Sequence, residues 1–333
     1  MVAGHDSCDL YDASAIGSAK AGVLGQTMDM YNVVTSTSLH PVGLAVLAGM
    51  SVIVLFIERR FAAATLLVMT MFVPSSQRLV LGPVDFTLLR VLLIVGWLRI
   101  WLRGELRGLS YHALDVTVLL WAMASTVVYT LQQGTTSALV NRLGVSFDAI
   151  GAYFFIRVVA RDLREVRSLI YAIAPLSALL ACFFLFEAVT GINLFGYMGG
   201  VPQRTAMWNG SLRQQGAFSH PILAGAFSAA LVPYAIYSFR ARHDGFLVRA
   251  APVAALVFVI FGARSSTSFV GLLVAFAGMF LFRLRGHLKA LRLAFVASML
   301  GLAVIMDNPI WHLVTRIDLR GGSTGWHRFR LID

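Results

Sequence analysis

Charge is scarce in this sequence, and negative charge is scarcest: 333 residues carry 16 Asp and Glu against 27 Lys and Arg, and the four types together make up 13% of the chain. With 58% hydrophobic residues and a mean hydropathy of +0.77, the chain has too little polar surface to face water. This excludes a soluble domain and places the protein in a bilayer. Cysteine is nearly absent. Cys8 and Cys182 cannot build a disulfide framework, and Cys182 falls within an apolar run where a small buried thiol is the ordinary expectation, so redox chemistry is set aside. A Walker A loop, a dinucleotide fingerprint, an HExxH helix and any Cys/His cluster with metal spacing are also missing. ATP-driven and zinc-dependent chemistry therefore have no support, and no cofactor or metal is expected. A net charge of +11 on a soluble protein would point to nucleic acid. In a membrane chain its place is beside anionic headgroups, and no nucleic-acid partner is expected.

Long apolar runs are abundant instead. About 20 such residues span a hydrocarbon core, and runs approaching that length centre on 41–57, 61–82, 84–102, 114–131, 139–160, 168–190, 217–239, 250–262, 268–282 and 293–306. The expected fold is all-α, a polytopic transmembrane helical bundle of about ten membrane segments with longer periplasmic loops. Apolarity runs all round the segments, as it does on helices that face lipid and one another. Pro74 and Arg78 interrupt the second run, which is expected to kink or to stop short.

Sixteen basic residues sit in five short connections that alternate with the runs: Arg59 and Arg60; Arg99, Arg103 and Arg107; Arg157, Arg161, Arg164 and Arg167; Arg240, Arg242 and Arg249; Arg283, Arg285, Lys289 and Arg292. The positive-inside rule makes these cytoplasmic, so the N-terminus is expected in the periplasm of a bacterial inner membrane. Residues 1–40 read as a polar, acidic tail without the pattern of a signal peptide. Residues 41–306 read as the membrane domain, and 307–333 as the opening of a large periplasmic loop that the chain does not complete.

The remaining cations are expected on the outer side: Lys20, Arg78, Arg90, Arg142, Arg204, Arg213, Arg264, Arg316, Arg320, Arg328 and Arg330. Arginine is costly at the mouth of a helical bundle and suited to holding phosphate through paired hydrogen bonds. Arg213 opens the stretch RQQGAFSHPILAG, where a charged fork would join the N–H groups of a helix start. The competing reading is an arginine that merely reaches headgroups. Arg264 stands in FGARSSTSF on a short outer turn among hydroxyls that could cap a helix or bind phosphate. Arg90 and Asp148 lie about 9 and 13 Å into their segments by helical rise, a depth at which ionisable groups pair or line a cavity. Glu187 is the carboxylate nearest the Arg213 loop, either a base or an interfacial acid.

RQQGAFSHPILAG, then FGARSS, then GSTGWHRFRLID in that order and on one side of the membrane resemble the O-antigen ligase and O-antigen or exopolysaccharide polymerase family, and PSSQRLVLGPVDFTLLR is similar to the second and third helices of its exopolysaccharide-polymerase members. Two of the motifs depart from the family pattern. The Ser-Arg-Gly turn reads Ala263, Arg264, Ser265, and the Gly-Arg element reads Gly325, Trp326, His327, Arg328. The resemblance implies a metal-independent glycosyltransferase, a ligase or a polymerase of polysaccharide biosynthesis. Such an enzyme moves a glycan from an undecaprenyl-pyrophosphate carrier to the hydroxyl of a glycan or lipid acceptor, beside other polysaccharide-assembly proteins. It implies Arg213, Arg264 and Arg328 at the pyrophosphate, and His220 and Glu187 near the sugar. The alternatives are a membrane transporter or flippase of a lipid-linked glycan or anionic solute, and a non-catalytic fragment.

Overall fold

The computed structural model describes residues 37, 39–82, 84–208, 210–241 and 245–305, with the backbone alone at 239–241. Each of the ten apolar runs overlaps one helix. These are α1 (Pro41–Phe56), α2 (Arg59–Phe72), α3 (Leu88–Leu102), α4 (Ala113–Gln133), α5 (Thr136–Val159), α6 (Leu163–Thr190), α7 (Pro221–Ala241), α8 (Phe246–Gly262), α9 (Ser266–Arg283) and α10 (Leu288–Ile305). Two antiparallel hairpins join them: β1 (Arg78–Leu81) with β2 (Val84–Thr87), and β3 (Ala206–Trp208) with β4 (Ser211–Arg213).

Among the described residues, six helices are long and apolar enough to cross a membrane, namely α4, α5, α6, α7, α9 and α10 with the turn before it. The expectation of about ten full spans is corrected accordingly. The other four helices have 16, 14, 15 and 17 residues. At about 1.5 Å per residue they fall short of a core about 30 Å thick. The cause is local: Pro74 follows the end of α2, and the β1–β2 hairpin takes residues expected to extend α2 and α3.

Helix starts and stops follow their sequence signals. Both α1 and α7 begin with His-Pro, and the histidine Nδ1 accepts a hydrogen bond from the N–H two residues on, at 3.2 Å for His40 and 3.1 Å for His220. Proline at the first helical position needs no partner for the N–H it lacks. Glycines in the left-handed region end α4 (Gly134, φ 64°) and α6 (Gly191, φ 68°).

Successive helices alternate in direction, so the connections gather at two ends. At one end Arg59 bonds Glu165, Arg157 meets Asp115 at 2.9 Å, and Arg161 donates to the Arg107 carbonyl at 2.6 Å. Several of these cations are structural and do not face headgroups: Arg99 is 1% exposed and donates to the Val54 carbonyl at 2.6 Å, closing the last turn of α1. Cys182 is likewise corrected, since its thiol lies exposed on the outside of α6.

Two apolar clusters share α2. Leu92, Leu93, Phe155 and Val158 form one, and Phe184, Val232, Leu256 and Ile260 the other. Lipid competes for apolar contact, so helix association here rests on close fit. A Cβ on Gly225 of α7 would stand 2.0 Å from Ser268 Oγ and 2.6 Å from Ser268 Cβ of α9. Gly225→Ala is therefore expected to lower the melting temperature by the equivalent of about 1–3 kcal/mol. Gly286→Ala, where nothing lies within 4 Å, should leave it unchanged in the same thermal scan.

Candidate functional site: the arginine end

The opposite end is built on the long segment between α6 and α7. Its anchor is Glu187, 1% exposed in the last turn of α6. Its carboxylate accepts hydrogen bonds from Thr205 Oγ1 at 3.0 Å, Gln215 N at 3.1 Å and Gly216 N at 3.0 Å. These take three of the roughly four acceptor positions of a carboxylate. Glu187 therefore fixes the segment's backbone.

Asn193 completes the clamp, donating from Nδ2 to the Gly216 carbonyl at 2.8 Å. Gly216 sits at φ 59°, with the Phe184 ring 2.7 Å from where a Cβ would be, so glycine is required there.

Held this way, Gln214 N bonds the Gly262 carbonyl at 3.1 Å and ties the segment to the end of α8. Arg213, half-buried at the end of β4, donates from Nε to the Ala263 carbonyl at 3.2 Å. Its guanidinium carbon lies 5.6 Å from the centroid of the Trp208 ring. Burial lowers its pKa, but from so high a starting point that it stays charged at neutral pH.

Arg264 follows Ala263 directly. It has φ 45° and is the only non-glycine residue in the left-handed region among the described residues. Such a conformation costs a β-carbon-bearing residue of order 1–3 kcal/mol and persists where the surroundings impose it. Arg264 is exposed, and among the described residues neither it nor Arg213 has a carboxylate within salt-bridge distance. Arg204, also exposed at this end, shares that property.

His220 lies exposed at the start of α7. Its Nδ1 is occupied as the helix cap, so the proton belongs on Nε2. Partial burial and the charge of Arg213 pull its pKa below the ordinary histidine range, leaving it neutral at pH 7. The fold thus brings Arg213, Arg264, His220 and Glu187 to one end. Arg328 lies outside the described residues.

Arg90 and Asp148 meet as a two-point ion pair, Nε to Oδ1 at 2.9 Å and Nη2 to Oδ2 at 2.8 Å. Asp85 takes the third side of the guanidinium, Nη1 to Oδ1 at 3.0 Å, and Arg78 lies 3.7 Å from Asp85. The Arg90 guanidinium rests on Gly144 of α5, where a Cβ would be 2.8 Å from Nη2. Asp148 also borders an apolar cavity of about 400 Å³ between α2, α3 and α7, which reaches Phe218 and Leu223 beside His220.

Sequence reasoning did not find Asp85, Asn193 or Gln77. Gln77 is fully buried and bridges His40 N at 3.3 Å and the Met198 carbonyl at 3.1 Å, joining three connections of this end. The one available signal was Asp85, five residues before Arg90. Compared with family models, curated proteins and solved structures, the chain matches none of them.

Proposed function

We propose that the protein is a multi-pass membrane glycosyltransferase of the bacterial inner membrane, joining a glycan from an undecaprenyl-pyrophosphate carrier to an acceptor hydroxyl. The observation that carries this reading is the adjacency of Arg213 and Arg264 at the α8–α9 turn, both without a carboxylate partner, one of them on a strained backbone. Two uncompensated guanidinium groups at the edge of a membrane domain suit a pyrophosphate. It gains charge as the glycosidic bond to the carrier breaks, and donors fixed in advance stabilise that charge.

The resemblance to O-antigen ligases and polymerases supplies the reaction class. In this reading the N-terminus and the arginine end both face the periplasm. The acceptor's proton goes to a neighbouring base; His220 Nε2 takes it only in the tautomer that carries the ring proton on Nδ1, which gives up the cap hydrogen bond from Ile222 N. A carrier built around Arg90 and Asp148 is less favoured. Asp148 and Asp85 already engage that guanidinium, leaving little of it for a solute.

The test is transfer of a labelled glycan from a polyprenyl-pyrophosphate donor by proteoliposomes. Transfer should require the protein and persist in EDTA. No transfer, or transfer lost to EDTA and restored by a divalent metal, would remove the arginine-based reading. Orientation is checked separately: Ser211→Cys should react with an impermeant thiol reagent in intact cells, and Gly286→Cys should not.

A further inference from the structure

At the end away from Arg213, α7 and α9 part to leave an apolar groove of about 570 Å³. The sequence explains the opening. Pro233 of α7 lacks an N–H and Ala275 and Gly278 of α9 lack bulk, while Tyr237 and Phe282 form the groove's sides. Nothing lies within 4 Å of the position a Gly278 Cβ would occupy.

The mouth of the groove is cationic. Arg283 lines it, and the Arg285 guanidinium carbon lies 4.6 Å from the centroid of the Phe282 ring. Residues 283–292 hold Arg283, Arg285, Lys289 and Arg292 and no acid. The described carboxylates of this end are already taken: Glu58 by Arg60, Glu105 by Arg99, Asp115 by Arg157, and Asp162 and Glu165 by Arg59. None of the four cations at 283–292 enters an ion pair among the described residues.

We infer that this groove is a binding site for an anionic diacyl phospholipid, its phosphate on Arg283 and Arg285 and an acyl chain along Gly278. Charge selects the occupant. A zwitterionic lipid fills the same apolar volume, but its own cation opposes the two arginines, whereas a net negative headgroup gains from both. The groove supplies what a bare basic patch does not: a length of apolar wall directly below the phosphate. The inference stands apart from the glycosyltransferase reading.

The experiment uses the purified full chain in neutral detergent, titrated with phosphatidylglycerol or with phosphatidylcholine of identical acyl chains. Melting temperature and the lipid retained in native mass spectrometry are both read. Phosphatidylglycerol should stabilise at lower concentration and be retained, and phosphatidylcholine should not. Arg283→Gln/Arg285→Gln should weaken phosphatidylglycerol about tenfold or more. Gly278→Leu should fill the groove and do the same, with Ala275→Leu as its substitute if that variant does not fold. Arg167→Gln, on α6 at the same end, should change nothing.

Equal effects of the two lipids would overturn the inference. So would full retention in the arginine pair or the groove variant, or an equal shift from inorganic phosphate alone.

Discussion

Arg264→Lys is expected to lower glycan transfer by about 10²- to 10³-fold, the usual cost of losing one fixed donor to a developing anion, with protein abundance and insertion unchanged. Lysine keeps the charge but loses the planar fork that can hold two phosphate oxygens at once. Arg264→Gly separates function from folding more sharply. The residue sits at φ 45°, where glycine carries no steric penalty, so the variant should melt slightly higher than the parent while transferring at the same low level or below. Transfer rate and melting temperature moving in opposite directions would mark the strained arginine as kept for its chemistry. A variant that melts lower and transfers normally would assign Arg264 to the fold.

The second large effect concerns the membrane-buried pair. Asp148→Asn leaves the Arg90 guanidinium, 6% exposed, with Asp85 as its one ion-pair partner among the described residues. Arg90→Gln leaves Asp148 with no cation partner among the described residues. Breaking one side of a buried pair typically costs about 3–5 kcal/mol, so each variant should fall sharply in melting temperature or abundance. The double variant should be milder than the sum of the two. Gly144→Ala should mimic part of the loss, because its Cβ would push against the guanidinium. Additive losses in a thermal-melt cycle would contradict the pairing as an energetic unit.

The positions of the ten helices were legible in the sequence because a membrane helix announces itself by apolar length, and the alternating arginines of the connections marked their common end. Helix lengths were less legible. The hairpin Arg78–Thr87 falls within two of the apolar runs, and only Pro74 and Arg78 hinted that the chain leaves the helix there.

The roles of polar groups were least legible. Glu187 and Gln77 look like isolated polar residues in apolar surroundings. Each acts by satisfying backbone groups more than 18 residues away, pairings that no local pattern encodes. Arg99 is indistinguishable in sequence from the exposed Arg103 and Arg107 beside it, yet it closes α1 from inside the bundle. Arg213 and Arg264 were each visible as lone cations. Their adjacency depends on Gln214 and Arg213 reaching the last carbonyls of α8, 48 and 50 residues further along the chain.

The claim that these two arginines hold a lipid pyrophosphate is tested most directly by equilibrium binding of labelled polyprenyl pyrophosphate to the purified protein, beside the uncharged polyprenol. With charged hydrogen bonds contributing about 1.5–3 kcal/mol each, the pyrophosphate should bind at least about a hundredfold more tightly than the alcohol. Arg213→Ala/Arg264→Gly should erase that difference without affecting the alcohol. Equal affinity for the two lipids in the parent protein, or a preference that survives in the double variant, would contradict the account.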